Sequence, residues 1–426
     1  MIFSPAWRGK RYAVLGLARS GVATVRALLA GGAEVVAWDA DPVKREALAD
    51  ADVTFANPEA IDLTGFDALV VSPGVPLNRH PVAAQARAAG VPIIGDIELF
   101  AQARARLPAA KVVGITGTNG KSTTTALIHH ILTTAGIPTL MGGNIGLPIL
   151  GQEPLPDGGM YVLELSSYQI DLTYSLDCDV AVLLNITPDH LDRYDGFEGY
   201  AASKARLFKM QSAGNAAVIG IGDQASAEIA RSLPPEDLTK IAGSGLDQSR
   251  WPSLQGPHNA QNALAAVAAC EALGVSVEVI EEGLASFTGL PHRMERVGER
   301  DGVVFINDSK ATNPESVAPA LAAFDRVHWI VGGKAKGADL DACRPQFGHV
   351  VRAYTIGEAA PVFAALLQTE MPVEEAGTLA AAVASAAAQA RPGDTVLLSP
   401  ACASFDQFRD FEQRGDTFRA LVEALV

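Results

Sequence analysis

No apolar run in the 426-residue chain reaches the roughly eighteen residues that a membrane-spanning helix requires. The opening stretch, MIFSPAWRGKR, also lacks the apolar core and cleavage site of a secretory leader. A cytoplasmic protein with no membrane insertion is therefore expected. Cysteine is scarce: Cys178, Cys270, Cys343 and Cys402 are scattered, without metal-ligand spacing, so reduced structural thiols are expected. Basic residues are outnumbered, 33 Lys and Arg against 48 Asp and Glu, for a formal charge of −15. That balance argues against sequence-independent nucleic-acid binding, although local cations in a cleft still suit an anionic small molecule. Aromatic residues make up 6% and hydrophobic residues 48%, the profile of an α/β chain built on small aliphatics. No short-period repeat or low-complexity segment occurs, and the length favours two or three domains.

The chain does contain apolar strands alternating with helical stretches, arranged in three blocks. The first reads strand RYAVLGL, turn GLARSG, helix GVATVRALLAGG and strand AEVVAWDAD, a βαβ unit. Gly16, Ala18 and Gly21 form G-x-A-x-x-G with Asp39 at the second strand's end, similar to a dinucleotide fingerprint with its middle glycine replaced. Alone, this admits an NAD-dependent dehydrogenase. Ser72-Pro73-Gly74 follows the strand DALVV, at the carboxyl edge where ligands of parallel sheets gather. The strand VPIIG then leads into a helix, GDIELFAQARA.

Residues 111–125, KVVGITGTNGKSTTT, run from a strand through a glycine-bearing turn into a helix. Gly117 and Gly120 let backbone N–H groups close on a polyphosphate, Lys121 adds a point charge, and Ser122 offers a hydroxyl to Mg²⁺. The helix start adds its positive dipole end. The commonest form of this loop has glycine at the position of Ile115. The loop specifies a nucleotide and leaves the reaction open.

Two further strands, MYVLELSS (160–167) and CDVAVLLNIT (178–187), end near Glu164 and His190. On the sheet that carries the phosphate loop, their carboxyl ends face the nucleotide, where a carboxylate and an imidazole can ligate a divalent cation. A solvated strand-end acid and a loop histidine fit the same residues. Asp189 is either a partner for His190 or a turn former. By composition Lys204 reads as a solvated helical charge. Asn259 and Asn262, three apart in HNAQNA, read as adenine contacts or as packing amides. His292 and Arg293 follow the Gly289-Leu290-Pro291 break, placing an arginine for phosphate or for an interface. The third block has strands at 303–309, 327–333, 350–357 and 394–400, a second doubly wound unit. Lys310, Thr312, Lys336, Ser404 and Phe405 lie just past these strands, a rim of cations and hydroxyls suited to a small dianion.

In order along the chain, GITGTNGKST, GGNIGLP, LELSSYQ, NITPDHLDRY, HNAQNA, GLPHR, NDSKATN and SPACASFDQFRDFEQRG resemble the Mur ligases of peptidoglycan synthesis. The last two, with GDIELF, resemble the branch of the family that adds D-glutamate to UDP-N-acetylmuramoyl-L-alanine. The resemblance implies three α/β domains: a Rossmann-like UDP-binding domain over 1–94, a central P-loop-type ATPase domain with a mainly parallel sheet over 95–290, and a Rossmann-like amino-acid domain over 291–426. It implies an ATP-dependent amide ligation through an acyl phosphate, by a cytoplasmic monomer acting on small molecules.

The resemblance also distributes the site. Gly117, Thr118, Asn119, Gly120, Lys121, Ser122 and Thr123 would hold ATP with Asn259, Asn262 and Arg293. Ser122, Glu164, His190 and Lys204 would hold two Mg²⁺ ions, with Lys204 carrying a CO₂-derived carbamate. That modification needs a neutral amine, which burial favours in lysine. Lys121, Lys204, His190 and Glu164 form the catalytic set. Ser20, Ser72, Pro73, Gly74 and Asn144 would meet the UDP substrate, and Lys310, Thr312, Lys336, Ser404, Phe405 and Phe411 the D-glutamate. Ala40 and Asp41 stand where hydroxyl and arginine groups of relatives help bind UDP, which puts the uridine and pyrophosphate contacts in question. A folylpolyglutamate synthase or another Mur ligase shares the loop but is expected to lack SPACASFDQF. A non-catalytic nucleotide-binding regulator need not retain Glu164, His190 and Lys204 together.

Overall fold

The computed structural model describes residues 1–242, 246–335, 337 and 339–425. It divides into two compact units, Met1–Ala242 with Leu264–Gly283, and Gly243–Ala263 with Leu284–Val426.

The first unit holds two sheets. One comprises β1 (Arg11–Leu15), β2 (Glu34–Trp38), β3 (Thr54–Phe55), β4 (Ala68–Val71) and β5 (Ile93–Ile94). All are parallel, in the order β3-β2-β1-β4-β5. The other comprises β6 (Lys111–Thr116), β7 (Thr139–Gly143), β8 (Met160–Glu164), β9 (Val180–Leu183), β10 (Ala216–Gly220) and β11 (Leu238–Ile241). It is also parallel, in the order β11-β10-β9-β6-β8-β7. Strands β4, β8 and β9 are buried at every position, the near-continuous apolar runs expected where helices cover both faces. In both orders successive connections diverge from one strand, β1 or β6. The crevice beside that strand's carboxyl end is the natural ligand position. It falls at Gly16 in the first sheet and at Gly117–Gly120 in the second.

The second unit holds β12 (Glu295–Arg300), β13 (Val303–Asn307), β14 (Val327–Gly332), β15 (Val350–Ile356), β16 (Val373–Gly377) and β17 (Thr395–Leu398). Their order is β12-β13-β17-β14-β15-β16, with β12 antiparallel to β13 and the other pairs parallel. The carboxyl ends of β13, β17 and β14 are thus neighbours, which gathers Ser309, Ala401–Ser404 and Gly333 on one rim. Three of the strands beyond those read from the sequence, β7, β12 and β16, are sheet edges without the buried apolar runs of the central strands. No described helix is long and apolar enough to cross a membrane.

Candidate active site

Ile115 is fully buried in β6, paired with Glu164 of β8 on one side and Val182 of β9 on the other. The position belongs to the sheet core and favours a branched apolar side chain, so the phosphate turn is built only from the residues after it. Gly117 (φ 152°) and Gly120 (φ 85°) take positive φ, a region that costs a side-chain-bearing residue about 1–2 kcal/mol. Gly120 immediately precedes the helix Lys121–Thr134, so its first N–H groups face the turn. Lys121 Nζ donates to the carbonyl oxygens of Gly117 (3.0 Å) and Thr118 (2.8 Å). Asn185, just past β9, braces the turn. Its carbonyl accepts from the Thr118 N–H and its Oδ1 from the Asn119 N–H, both at 2.9 Å. Thr123 is half-buried on the helix's first turn.

Glu164 ends β8 and is 2% exposed. Ser122 Oγ donates to its Oε2 at 2.6 Å, and Asn144 Nδ2 donates to its Oε1 at 2.8 Å. The Asn144 N–H also donates to the Glu164 carbonyl at 2.8 Å. A carboxylate and a hydroxyl beside a phosphate turn are hard oxygen donors, a set that fits Mg²⁺. Asn144, expected at the UDP substrate, is tied to Glu164 through both its side chain and its backbone.

Lys204, on the helix Gly196–Lys209, is 1% exposed. Its Nζ donates to the Gly117 carbonyl at 2.8 Å and lies 4.7 Å from the centroid of the Tyr200 ring. Burial, and then the nearby charge of Lys121, push its pKa well below the ordinary lysine value. It forms no salt bridge among the described residues. The solvated-lysine reading therefore fails: the amine is buried, and burial favours its neutral form.

His190 has φ 54°, with its ring 5.0 Å from that of Tyr168 and 6.2 Å from that of Tyr200. Its Nε2 stands 3.5 Å from Asp189 Oδ2 while its backbone N–H donates to Asp189 Oδ1 at 2.8 Å, so Asp189 serves both the ring and the turn. Tyr200 in turn reaches Thr118, hydroxyl to hydroxyl, at 3.2 Å. The structure thus joins Ser122, Glu164, Asn144, Lys121 and Lys204 around the turn and leaves His190 exposed beside Tyr168 and Tyr200. Among the described residues no group of three His, Cys, Asp or Glu side chains gathers to hold a metal.

In the first sheet, Ser72 Oγ donates to the Gly16 carbonyl at 3.0 Å. A Cβ on Gly16 would fall 2.7 Å from that Oγ, and one on Gly21 only 1.9 Å from the Gly16 carbonyl oxygen. Both glycines are therefore required by close packing of strand, turn and helix. Ser20, Ser72 and Pro73 line a small cavity there with Thr24 and Asp96, and Gly74 follows. Asp39 accepts from the Leu17 N–H at 2.8 Å and from the Asp41 N–H at 3.0 Å. Asp41 caps the helix Pro42–Glu46 by accepting from the Val43 N–H at 3.0 Å. That short helix supplies Lys44, 3.5 Å from Asp39, and Arg45, which lies over Trp38 at 4.4 Å. Cations absent at positions 40 and 41 thus occur three to five residues later.

In the second unit, Asn259 Nδ2 donates to the Gln255 carbonyl at 3.1 Å, and Asn262 Nδ2 donates to Asn259 Oδ1 at 3.1 Å. Arg293 sits between two residues of positive φ, His292 (64°) and Met294 (49°). Its charge acts on Asp308, a carboxyl that burial nevertheless drives up to about 7. Lys310 Nζ is 3.9 Å above the Phe411 ring, Ser404 is buried, and Phe405 is exposed. Thr312 lines a cavity with Asn313, Asp339 and Ala401. Lys336 lies outside the described residues.

Three family models match the chain in sequence: the Mur ligase MurD-like N-terminal domain over residues 10–95, the Mur ligase middle domain over 115–252, and the Mur ligase glutamate ligase domain over 292–402. The chain belongs to the Mur ligase family. It is 64% identical to the UDP-N-acetylmuramoylalanine–D-glutamate ligase of Novosphingobium aromaticivorans, covering 100% of this chain and 97% of that protein. It is 63% identical to the enzyme of the same name from Sphingopyxis alaskensis, covering 100% of both. The fold is shared with the UDP-N-acetylmuramate-alanine ligase of Thermotoga maritima (TM-score 0.61, 16% identity), over 98% of this chain and 100% of that one. In this Mur ligase, residues that sequence reasoning passed over adjoin the candidate ones. Asn185 and Tyr200 brace the phosphate turn, and Asp308 is a buried acid beside Arg293. Asn185 and Asp308 each stand just past the end of a buried strand, the signal that singled out Glu164 as a candidate.

Proposed function

We propose that this Mur ligase joins D-glutamate to UDP-N-acetylmuramoyl-L-alanine, converting ATP to ADP and phosphate, in the cytoplasmic synthesis of peptidoglycan precursors. The observation that carries this reading is the meeting of Lys121, Ser122, Glu164 and the buried Lys204 at one phosphate turn, in a chain matched along its whole length by ligases of that name. A nucleotide-binding regulator has no use for a buried amine and a buried carboxylate at the same turn, and a dehydrogenase leaves the turn unexplained.

The alanyl carboxylate of the UDP substrate attacks the γ-phosphorus of ATP in line, giving an acyl phosphate and ADP. The D-glutamate amine then attacks the acyl carbon, and the tetrahedral intermediate expels phosphate. Lys121 and the helix N-terminus hold the β- and γ-phosphates and balance charge on the transferring group. Thr118, Asn119, Gly120 and Thr123 complete the phosphate contacts; Asn259, Asn262 and Arg293 serve the rest of the nucleotide. Ser122, Glu164, His190 and a carbamate on Lys204 are the residues that would hold two Mg²⁺ ions, whose charge neutralises the phosphoryl oxygens when bound. Ser20, Ser72, Pro73, Gly74 and Asn144 meet the UDP substrate, while Lys310, Thr312, Lys336, Ser404, Phe405 and Phe411 meet the D-glutamate. Domain limits of 1–94, 95–290 and 291–426 and a monomeric state complete the proposal.

The test is product analysis by mass spectrometry after incubation with ATP, Mg²⁺, UDP-N-acetylmuramoyl-L-alanine and D-glutamate. One new amide per ADP formed is expected. ADP formation with no amide product would overturn the ligase assignment.

A further inference from the structure

Arg414, on the helix Phe411–Glu423, is 1% exposed. Its Nε donates to Ser309 Oγ at 2.9 Å, and its Nη2 donates to the carbonyls of Ser309 (2.8 Å) and Cys402 (3.1 Å). Ser309 Oγ passes the link on to the Phe411 carbonyl at 2.8 Å. The remaining nitrogen, Nη1, has no hydrogen-bond partner among the described residues. It stands against Gly333, where a Cβ would lie 3.2 Å from it. One guanidinium therefore touches the segments that follow β13, β14 and β17.

No carboxylate forms a salt bridge with Arg414 among the described residues. Asp406 acts on its charge from a distance and accepts instead from the Glu358 N–H at 3.0 Å. Burial pushes the guanidinium down to about 10. A buried cation without a counter-charge is costly to fold around, unless a ligand anion completes it. The rim beside it is the one proposed above to hold D-glutamate: Lys310 adjoins Ser309, Ser404 follows Cys402 by two residues, and Phe411 precedes Arg414 by one helical turn.

We propose that Arg414 is the positioning residue of the amino-acid pocket, tying Ser309–Lys310, Cys402–Ser404 and Phe411 together. Its uncompensated charge makes the pocket select an amino acid with a second carboxylate. The inference rests on the reading of that rim as the D-glutamate site. Turnover of the unaltered protein with D-glutamate tests that reading by itself; without it, both fail.

Given that turnover, the full-length Arg414→Lys and Arg414→Gln variants are compared with D-glutamate and its neutral analogue D-glutamine. Arg414→Gln is expected to lower the ratio of kcat/KM for D-glutamate over D-glutamine about tenfold. Arg414→Lys is expected to restore most of that ratio while raising KM for D-glutamate several-fold, with KM for ATP and for the UDP substrate within about twofold. A purely structural arginine would weaken both amino acids alike, and an unchanged ratio in folded Arg414→Gln overturns the proposal. Should Arg414→Gln not fold, Arg414→Lys decides alone, because an unchanged KM for D-glutamate there is equally contrary.

Discussion

Lys204 Nζ donates to the carbonyl oxygen of Gly117 across 2.8 Å, the same oxygen that Lys121 Nζ reaches at 3.0 Å. Two lysines converge on one carbonyl of the phosphate turn, and burial together with the charge of Lys121 lowers the pKa of Lys204. Replacing Lys204 with alanine is expected to cut turnover at least ~100-fold while the protein remains folded. Carbon-13 NMR of the wild type in labelled bicarbonate should show a carbamate resonance that the variant lacks. A wild-type spectrum without that resonance would remove the carbamate from the account.

Ser122 and Glu164 form a short side-chain contact beside the turn, 2.6 Å from oxygen to oxygen. If both oxygens serve Mg²⁺, Ser122→Ala and Glu164→Gln should each raise the Mg²⁺ concentration for half-maximal turnover by about 10–100-fold. Titration of activity with Mg²⁺ at saturating ATP reads this directly. Equal Mg²⁺ curves for wild type and Glu164→Gln would place the ion elsewhere.

Far from the rim, His328 Nε2 lies 3.1 Å from Asp394 Oδ2 and its Nδ1 lies 2.9 Å from the Tyr354 hydroxyl. Burial lowers the pKa of His328 below 6.5, more than Asp394 raises it. For Asp394 burial works upward, but hydrogen bonds from Arg326 and the Arg391 N–H outweigh it and hold the carboxyl below 3.8. In both cases the unfolded chain takes the proton first as pH falls. The stability is complete above the unfolded values and is lost below them. Chemical denaturation at a series of pH values should show the stability advantage of wild type over a folded His328→Gln variant shrinking as pH drops below 6.5, a comparison in which the other shifted groups, His129, His130, His258, His292, Asp96 and Asp308, are common to both proteins. A wild-type advantage that stays constant from pH 7 to 5 would contradict this.

Much of the candidate site could be proposed from the sequence because buried parallel strands announce themselves, and ligands of such sheets gather at their carboxyl ends. Glu164, Lys310 and Ser404 were singled out that way as candidates. Ile115 looked like a defect in the phosphate loop because the pattern counts residues and not strand ends; the fold shows β6 running one residue past it, through Thr116. Lys204 was beyond local reading, since its burial depends on packing against Gly117 and Tyr200, 87 and four residues away. The edge strands β12 and β16 were hidden for a related reason. ERVGER and VEEAG carry charge on half-exposed positions, and only pairing with β13 and β15 makes them strands. Arg414 is nearly invisible in FEQRG, where an arginine reads as an exposed helical charge.

The central claim, that the energy of ATP is used to join D-glutamate to the UDP-linked substrate, is tested most directly by phosphate release with each glutamate enantiomer. With ATP, Mg²⁺ and UDP-N-acetylmuramoyl-L-alanine present, release is expected on adding D-glutamate and not on adding L-glutamate. Release with the L-isomer and none with the D-isomer would contradict the account.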